Sequence, residues 1–242
     1  MLYNDTQILS EKKITIMSDF IFMLTKDDQT VPDALAHART AIQSGIRHIG
    51  FKNIGLLNDE LKAVAHYIQQ EGGTAYLEVV SLDLETEVCS AQFAVEAGIN
   101  RLLGGTHPKA VLPIIEGTGI EYYPFPGKII GHPSILTGTE KEIIDNAKKI
   151  AQQEGVTGLD LLAYRWQKNN VSHLIDEVCH AVDKPVIIAG SIDSQERIET
   201  VIRHGAAGFT VGTAAMTGAF PVQPDSLAVQ LATIKEMSHT RV

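Results

Sequence analysis

Three charged residues interrupt otherwise apolar stretches of the sequence. Lys52 stands in HIGFKNIG, Glu78 in AYLEVVS and Asp160 in GLDLLAY. Burying a charge is costly unless the charge is paired, so three such positions need a reason. An amine and two carboxyl groups that meet in a pocket have the chemistry for proton transfer next to a carbonyl group. The alternative is a buried ion-pair network that only fills the interior.

Two further segments have the composition of an anion-binding site. The run PVIIAGSID contains Gly190 and Ser191, and GAAGFTVGTAAM contains Gly212 and Thr213. Glycine lets backbone amides approach an anion closely, while hydroxyl groups and a following helix N-terminus add hydrogen-bond donors. Two such segments close together in the chain favour a phosphate site over two unrelated tight turns.

A faint internal repeat predicts a second anion site. Gly105 and Thr106 recur 107 residues later as Gly212 and Thr213. The interval is close to half the chain, so duplication of four strands is one explanation. Chance recurrence of common residues at strand ends is the other. If the repeat is real, Gly105 and Thr106 form a second anion site.

The elements that position these residues alternate regularly between short β-branched runs and longer segments of helical period. The runs predict eight strands, over residues 20–25, 48–52, 75–81, 101–104, 121–125, 158–163, 186–189 and 208–211. The segments between them predict helices over residues 32–44, 59–71, 85–97, 109–117, 140–154, 171–182, 195–204 and 225–237. Helix capping is expected where Thr30 precedes Asp33 and where Thr139 precedes Glu142.

Strict alternation of strand and helix implies parallel strands with right-handed crossovers. Eight such units close into an α/β fold, a single-domain (β/α)8 TIM barrel, which we expect over residues 17–242. The alternative is an open doubly wound sheet, but the first turn, over residues 25–28, contains no glycine. Residues 1–16 lie outside the repeat, and an N-terminal arm, a barrel-closing segment and a misassigned start codon all fit them.

In such a barrel, catalytic groups lie at the C-terminal ends of the strands and in the loops that follow. This rule adds His107 after strand four and Arg165 after strand six to the candidates. His107 could carry a proton or cap a helix. The glycine-rich loop over residues 124–139 contains Lys128 and His132 and predicts a lid over the substrate. An ordered surface loop is the alternative.

The segment VIIAGSI followed by GAAGFTVGTA resembles the phosphate-binding half of the ribulose-phosphate-binding barrel superfamily. That superfamily includes the phosphoribosyl isomerases of histidine biosynthesis. The blocks FIFMLTKDDQTVPDAL, GGTHP, YPFPGKIIGHPS and GLDLLAYR also resemble uncharacterised bacterial TIM-barrel proteins. The resemblance implies phosphate binding at Gly190, Ser191, Gly212 and Thr213.

The histidine-pathway isomerases are similar in being duplicated half-barrels with a phosphate at each half, which implies a second phosphate at the Gly105 position. They also use one aspartate after strand one and another after strand five. Asp27 or Asp28 matches the first of these, but this chain has Lys128 and His132 after strand five. The resemblance therefore does not extend to that particular reaction.

We expect an enzyme that acts on a small phosphorylated sugar or sugar acid by isomerase- or epimerase-type proton transfer. Lys52 would act as base or enolate stabiliser, Glu78 or Asp160 as the partnering acid, and Arg165 would hold an anionic group. One alternative is an aldolase or lyase with a Schiff base on Lys52. The others are a non-catalytic phosphosugar-binding protein and a metal-assisted reaction at Glu78, His107 and Asp160.

Composition excludes several other classes of function. The chain has 242 residues and a net charge of −9, which argues against nucleic-acid or anionic-membrane partners. No apolar run reaches the roughly 20 residues that span a bilayer. Cys89 and Cys179 match no zinc signature and suit a reducing compartment, so we expect a cytoplasmic protein without metal or cofactor. A homo-oligomer is compatible with the sequence, as such barrels commonly assemble.

Overall fold

The computed structural model describes residues 18–168, 170–223 and 226–239. The predicted N-terminal segment, residues 1–16, lies outside the described residues. Eight barrel strands, β1 to β8, are Asp19–Met23, His48–Lys52, Thr74–Val79, Arg101–Gly104, Glu121–Tyr123, Leu159–Leu161, Val186–Ile188 and Gly208–Val211. The helices α1 to α9 are Ala34–Gln43, Asn58–Gln70, Leu84–Glu96, Pro108–Ile115, Glu140–Ala151, Val171–Ala181, Gln195–Arg203, Thr213–Met216 and Leu227–Met237.

The strands form one sheet in the order β6-β7-β8-β1-β2-β3-β4-β5, and every neighbouring pair is parallel. Backbone hydrogen bonds join the remaining edges, β5 and β6. The amides of Thr157 and Gly158 donate to the carbonyl oxygen of Tyr122 at 2.8 and 3.2 Å, and the Asp160 amide donates to Pro124 at 3.1 Å. The sheet is therefore a nearly closed barrel, and the predicted (β/α)8 fold is confirmed.

Alternation of side chains along each strand separates two apolar regions. The larger lies between the strands and the surrounding helices. The smaller fills the barrel interior and contains Ile21, Met23, Tyr76, Leu103, Tyr123 and Ile187. Lys52, Glu78 and Asp160 have the same inward parity on their strands, and all three are buried. The apolar interior is thus followed, toward the C-terminal ends of the strands, by a layer of ionisable groups.

Most of the predicted local structure is present. Strands β2, β4 and β8 have the predicted bounds, and the other five differ by one or two residues at their ends. The Thr139–Glu142 capping box is confirmed, with the Glu142 amide donating to Thr139 Oγ1 at 3.3 Å. The capping pair at Thr30 and Asp33 was wrong. Thr30 instead exchanges two 2.9 Å hydrogen bonds with the backbone of Lys52, because it belongs to a hairpin that docks on β2.

The sequence pattern missed the small elements between strands and helices. One antiparallel hairpin pairs Thr25–Lys26 with Gln29–Thr30 after β1, and another pairs Lys128–Ile130 with Ile135–Thr137 after β5. A 3-10 turn, Ala163–Arg165, follows β6. Each is too short to show a period. No helix among the described residues has the length and apolar composition needed to cross a membrane.

Candidate active site

A cavity of about 720 Å³ opens at the C-terminal ends of the strands. It brings together residues from the loops after β1, β5, β6, β7 and β8 and the ends of β2 and β3. Most of the predicted site residues line it, namely Lys52, Glu78, Arg165, Gly190, Ser191, Gly212 and Thr213.

Lys52 and Glu78 lie side by side because they are register partners on the adjacent strands β2 and β3. The Lys52 Nζ atom is 3.4 Å from Glu78 Oε1, and each residue is only 3% exposed. Lys52 Nζ also forms an ion pair with Asp28. A buried ammonium thus lies between two carboxylates, one from the barrel wall and one from a loop.

Asp28 reaches the cavity through the hairpin that follows β1. Asp27 and Asp28 form its two-residue turn, with φ values of 51° and 64°. This left-handed conformation is typical of such turns and is tolerated by aspartate. The Asp28 carboxylate accepts hydrogen bonds from both terminal nitrogens of Arg165, at 2.9 and 3.1 Å. The family resemblance offered Asp27 or Asp28 as the aspartate after strand one, and the central position of Asp28 depends on this turn.

The Asp28 carboxyl group remains ionised. Burial would raise its pKa, but the hydrogen bonds from Arg165 and the charges of Lys52 and Arg165 outweigh burial, so the pKa lies well below its usual range. Burial would lower the pKa of Arg165, and the bonds to Asp28 raise it instead. Asp28 is therefore a fixed anion that holds two cations in place.

Asp160 lies below the cavity and does not line it. Its side chain is 0% exposed, and neither carboxyl oxygen has a hydrogen-bond partner among the described residues. Burial and the nearby charge of Glu78 raise the pKa of Asp160 well above its usual range. Because Asp160 does not line the cavity, direct contact with a substrate there requires Glu78 rather than Asp160.

The four predicted phosphate residues all line the cavity. Gly190 and Ser191 follow β7, while Gly212 joins β8 to α8, whose first residue is Thr213. Ser191 has a φ of 58°. Among the described residues, those other than glycine with a left-handed φ are Ser191, Asp27 and Asp28. All three line this cavity. Left-handed backbone is uncommon for residues other than glycine and is often found at ligand sites.

Gly105, Thr106 and His107 lie elsewhere. The amides of Thr106 and His107 donate to the Glu87 carboxylate at 2.9 and 2.8 Å, and His107 Nδ1 is 2.8 Å from Glu87 Oε2. Thr106 and His107 line a separate depression of about 350 Å³ between α4 and α5. The structure thus does not bring His107 together with Lys52, and the anion at the Gly105 position is a side chain of the chain itself.

The loop predicted as a lid is the hairpin after β5. Its Ser134 amide donates to Asp28 Oδ2 at 3.3 Å, and Arg165 donates to the Ser134 carbonyl oxygen at 3.3 Å. His132 Nδ1 lies 3.9 Å from Asp28 Oδ2, whereas Lys128 is exposed and does not line the cavity. The hairpin therefore covers Asp28, and of the two predicted lid residues only His132 lies near the site.

The metal-assisted alternative gains no support from the described residues. Among the described residues, the side chains of metal-ligating type that lie close together are His173, Asp176 and Glu177, on α6 and outside the cavity. Asp176 already accepts a hydrogen bond from His204. Glu78, Asp160 and His107 do not form such a cluster in the described part of the chain.

Comparison with known families finds a match in the second half of the barrel. Residues 134–222 match the sequence model of a family described as "Histidine biosynthesis protein". The resemblance predicted from the sequence is confirmed over this segment. It contains Arg165 and the four residues of the β7 and β8 strand ends, whereas Lys52 and Glu78 lie outside it.

Comparison with solved structures supports the fold. Thiamine phosphate pyrophosphorylase from Pyrococcus furiosus aligns with a TM-score of 0.61 and 11% identity, over 93% of this chain and 96% of that chain. Tryptophan synthase from M. tuberculosis aligns with a TM-score of 0.63 and 14% identity, over 93% of this chain and 92% of that chain. A chain of the Pyrococcus furiosus tryptophan synthase complex aligns with a TM-score of 0.65 and 12% identity, over 93% of this chain and 99% of that chain. No curated protein matches the sequence.

Proposed function

We propose that the protein is an enzyme that binds a small phosphorylated sugar or related compound and transfers a proton next to its carbonyl group. One observation carries this proposal. A single cavity is lined both by the Lys52–Glu78 pair and by the two glycine- and hydroxyl-containing strand ends. A binding group and a reacting group in one cavity are what an isomerase or epimerase requires.

The phosphate of the substrate would lie at Gly190, Ser191, Gly212 and Thr213. Backbone amides at these turns can surround an anion, and the Ser191 hydroxyl supplies a further donor. The Thr213 hydroxyl donates to the Thr25 carbonyl oxygen at 3.4 Å and would exchange this long bond for one to the anion. The loops after strands seven and eight are the usual phosphate position in barrel enzymes. The family match over residues 134–222 supports the same assignment.

The carbonyl end of the substrate would lie against Lys52 and Glu78. An ammonium has three N–H donors, and pairing with Asp28 and Glu78 leaves one of them for the substrate oxygen. Lys52 would stabilise the negative charge that develops on this oxygen in the enolate. Glu78 would remove the proton from the adjacent carbon and return it to the former carbonyl carbon, while the hydroxyl proton passes from one substrate oxygen to the other. Epimerisation would instead take a proton from solvent at the opposite face, because Glu78 reaches one face only. Asp28 and Arg165 would hold Lys52 in position.

A Schiff-base aldolase or lyase is the second candidate, because Lys52 is the one lysine among the described residues that line the cavity. Lys52 Nζ is held in ion pairs with Asp28 and Glu78, whereas a lysine that forms a Schiff base has to leave such contacts to attack the carbonyl carbon. This contrast ranks proton transfer first. Borohydride trapping with substrate present separates the two reactions, since only a Schiff base leaves a reduced adduct on Lys52.

The first experiment is a thermal-shift screen of the protein with inorganic phosphate and a panel of sugar phosphates. A ligand at 100 times its Kd stabilises the folded state by about 2.7 kcal/mol. For a chain of this size the Tm should then rise by roughly 5–10 °C. Each ligand that binds is next incubated with the enzyme in D2O, and proton exchange at the carbon beside the carbonyl is followed by NMR.

Three results are informative. Exchange without bond cleavage supports the proposed reaction. Binding without exchange or turnover indicates a phosphosugar-binding protein instead. Absence of any stabilisation by phosphorylated compounds contradicts the phosphate assignment of Gly190, Ser191, Gly212 and Thr213.

A further inference from the structure

We infer that the substrate carries a single phosphate group and that the remainder is rich in hydroxyl or amino groups, without a second phosphate or a carboxylate. This inference rests on the proposed function. It narrows the substrate class through three observations: an occupied anion position after β4, the extent of the cavity, and the charge of its walls.

The position that would receive a second phosphate is occupied by the chain's own carboxylate. Strands β4 and β8 begin and end 107 residues apart, so Gly105 and Gly212 each follow directly after their strand. At the β4 end, two backbone amides and His107 Nδ1 lie within 2.9 Å of the oxygens of Glu87, which is 1% exposed. The donors that the repeat predicted for a second anion are thus satisfied internally.

The substrate cavity also ends before β4. Its described lining contains no residue from β4 or from the loop that follows. Thr106 and His107 line the separate depression between α4 and α5. A substrate held at the β7 and β8 strand ends therefore extends toward Lys52 and Glu78, and the β4 loop is not in its path.

The walls of the cavity disfavour a second anion. Among the residues that the structure describes around it, four carboxylates face two cations: Asp27, Asp28, Glu78 and Asp193 against Lys52 and Arg165. Both cations contact Asp28, and Asp193 pairs with Arg197 at 3.0 Å. Asp27 has no ion-pair partner among the described residues. A second phosphate or a carboxylate would face Asp27 and Glu78, whereas hydroxyl and ammonium groups would donate hydrogen bonds to them.

The test compares matched ligands by titration calorimetry. Fructose 6-phosphate is compared with fructose 1,6-bisphosphate, and glucosamine 6-phosphate with 6-phosphogluconate. We expect the ligand with fewer anionic groups to bind at least about tenfold more tightly in each pair, the factor given by 1.4 kcal/mol. Inorganic phosphate should bind with one equivalent per chain.

Two variants isolate the causes. In Asp27→Asn the new residue also tolerates the left-handed turn, but the negative charge is gone. The ratio of the Kd for fructose 1,6-bisphosphate to the Kd for fructose 6-phosphate should therefore be smaller than in the wild type. Glu87→Ala frees the amides of Thr106 and His107 and should add a second equivalent of bound phosphate. If Glu87→Ala does not fold, the Asp27→Asn comparison and the wild-type stoichiometry still test the inference.

The outcomes separate this inference from the proposed function. Equal or tighter binding of the bisphosphate, or two phosphates bound to the wild-type chain, overturns the single-phosphate inference and leaves the proposed function standing. If neither inorganic phosphate nor any sugar phosphate binds, the proposed function fails first.

Discussion

At the scale of single residues, the site depends on charges that come from distant parts of the chain. Lys52 belongs to a strand, Asp28 to a hairpin and Arg165 to a 3-10 turn. Each charge would be costly to bury alone, and together they compensate one another. The contact network explains why polar residues are retained inside an apolar barrel.

Replacement of Lys52 should affect both stability and reaction. Lys52→Met leaves Asp28 with one cation and Glu78 with none, and loss of one partner of a buried pair costs about 3–5 kcal/mol. We expect the lower end of this range because Arg165 remains on Asp28. Urea unfolding measures the loss, and proton exchange in D2O should fall by about 10²–10³. Lys141→Met, on an 85% exposed side chain, is the control. Full exchange activity in Lys52→Met would remove Lys52 from the mechanism.

Asp160 should make stability depend on pH in the opposite sense to an ordinary ion pair. Its pKa is raised in the folded state above the ordinary value of 3.8, so the unfolded chain ionises first as pH rises. The contribution of Asp160 to the free energy of unfolding is fully present below pH 3.8, and it is lost as pH rises through the pKa of Asp160 in the folded chain. Asp160→Asn cannot ionise and should be more stable than the wild type at pH 7. The two proteins should converge as pH falls toward 4 in urea unfolding, and a constant difference across this range would contradict the assignment.

At the scale of elements, the turns after the strands determine which side chains reach the cavity. Gly190 has a φ of +78°, and Arg165 Nε lies 2.5 Å from the position that a Cβ atom would occupy there. The turn therefore belongs to the proposed phosphate site and also determines where the guanidinium lies. It is short and lacks a period, and so the sequence indicated its composition but not its contact with Arg165.

Substitution of Gly190 should disturb both the placement of Arg165 and the proposed phosphate site. Gly190→Ala combines left-handed strain of about 1–2 kcal/mol with a collision against Arg165. Gly205→Ala is a matched control, because Gly205 has a φ of +81° and no atom lies within 4 Å of an added Cβ. We expect Gly190→Ala to lose more stability than the control and to bind phosphate more weakly. Binding can be followed by the fluorescence of Trp166, the only tryptophan, which lines the cavity. Equal effects of the two substitutions would exclude the Arg165 contact as the cause.

At the scale of the whole molecule, the two ends of the barrel have different roles. At the N-terminal ends of the strands, Tyr76 Oη contacts His48 Nδ1 at 2.8 Å and Arg101 at 2.5 Å. Arg101 also pairs with Glu121 at 2.6 Å. This network links β2, β3, β4 and β5 at the end of the barrel away from the cavity. Its structural effect is to stabilise the barrel.

The same network should make the fold sensitive to mild acid. Burial lowers the pKa of His48 below 6.5 although Asp19 opposes the shift, so the unfolded chain takes up the proton first as pH falls. The contribution of His48 to stability is present above pH 6.5 and is lost as pH falls through the folded pKa. His48→Gln should reduce the decline in Tm between pH 7 and 5, whereas His180→Gln, at a 74% exposed side chain, should not. An unchanged decline in His48→Gln would assign the acid sensitivity to other groups.

Much of this architecture was predictable from the sequence. Periodicity, β-branched runs and the Thr139 cap predict eight strands and eight helices, because such local patterns reflect which face of each element is buried. Charged residues within apolar runs identified Lys52, Glu78 and Asp160. The glycine and hydroxyl pairs identified the strand ends that line the cavity. All of these are signals carried by a few neighbouring residues.

The roles of the individual charges were decided only by the tertiary structure. Asp28 became the centre of the site through a two-residue turn, Asp160 was left below the cavity, and Glu87 took the anion position after β4. Each depends on contacts between residues far apart in the chain, such as the 137 positions that separate Asp28 from Arg165. The local pattern determines which residues are buried, and barrel closure determines which buried charges meet, because that depends on the register between strands and the direction of each turn.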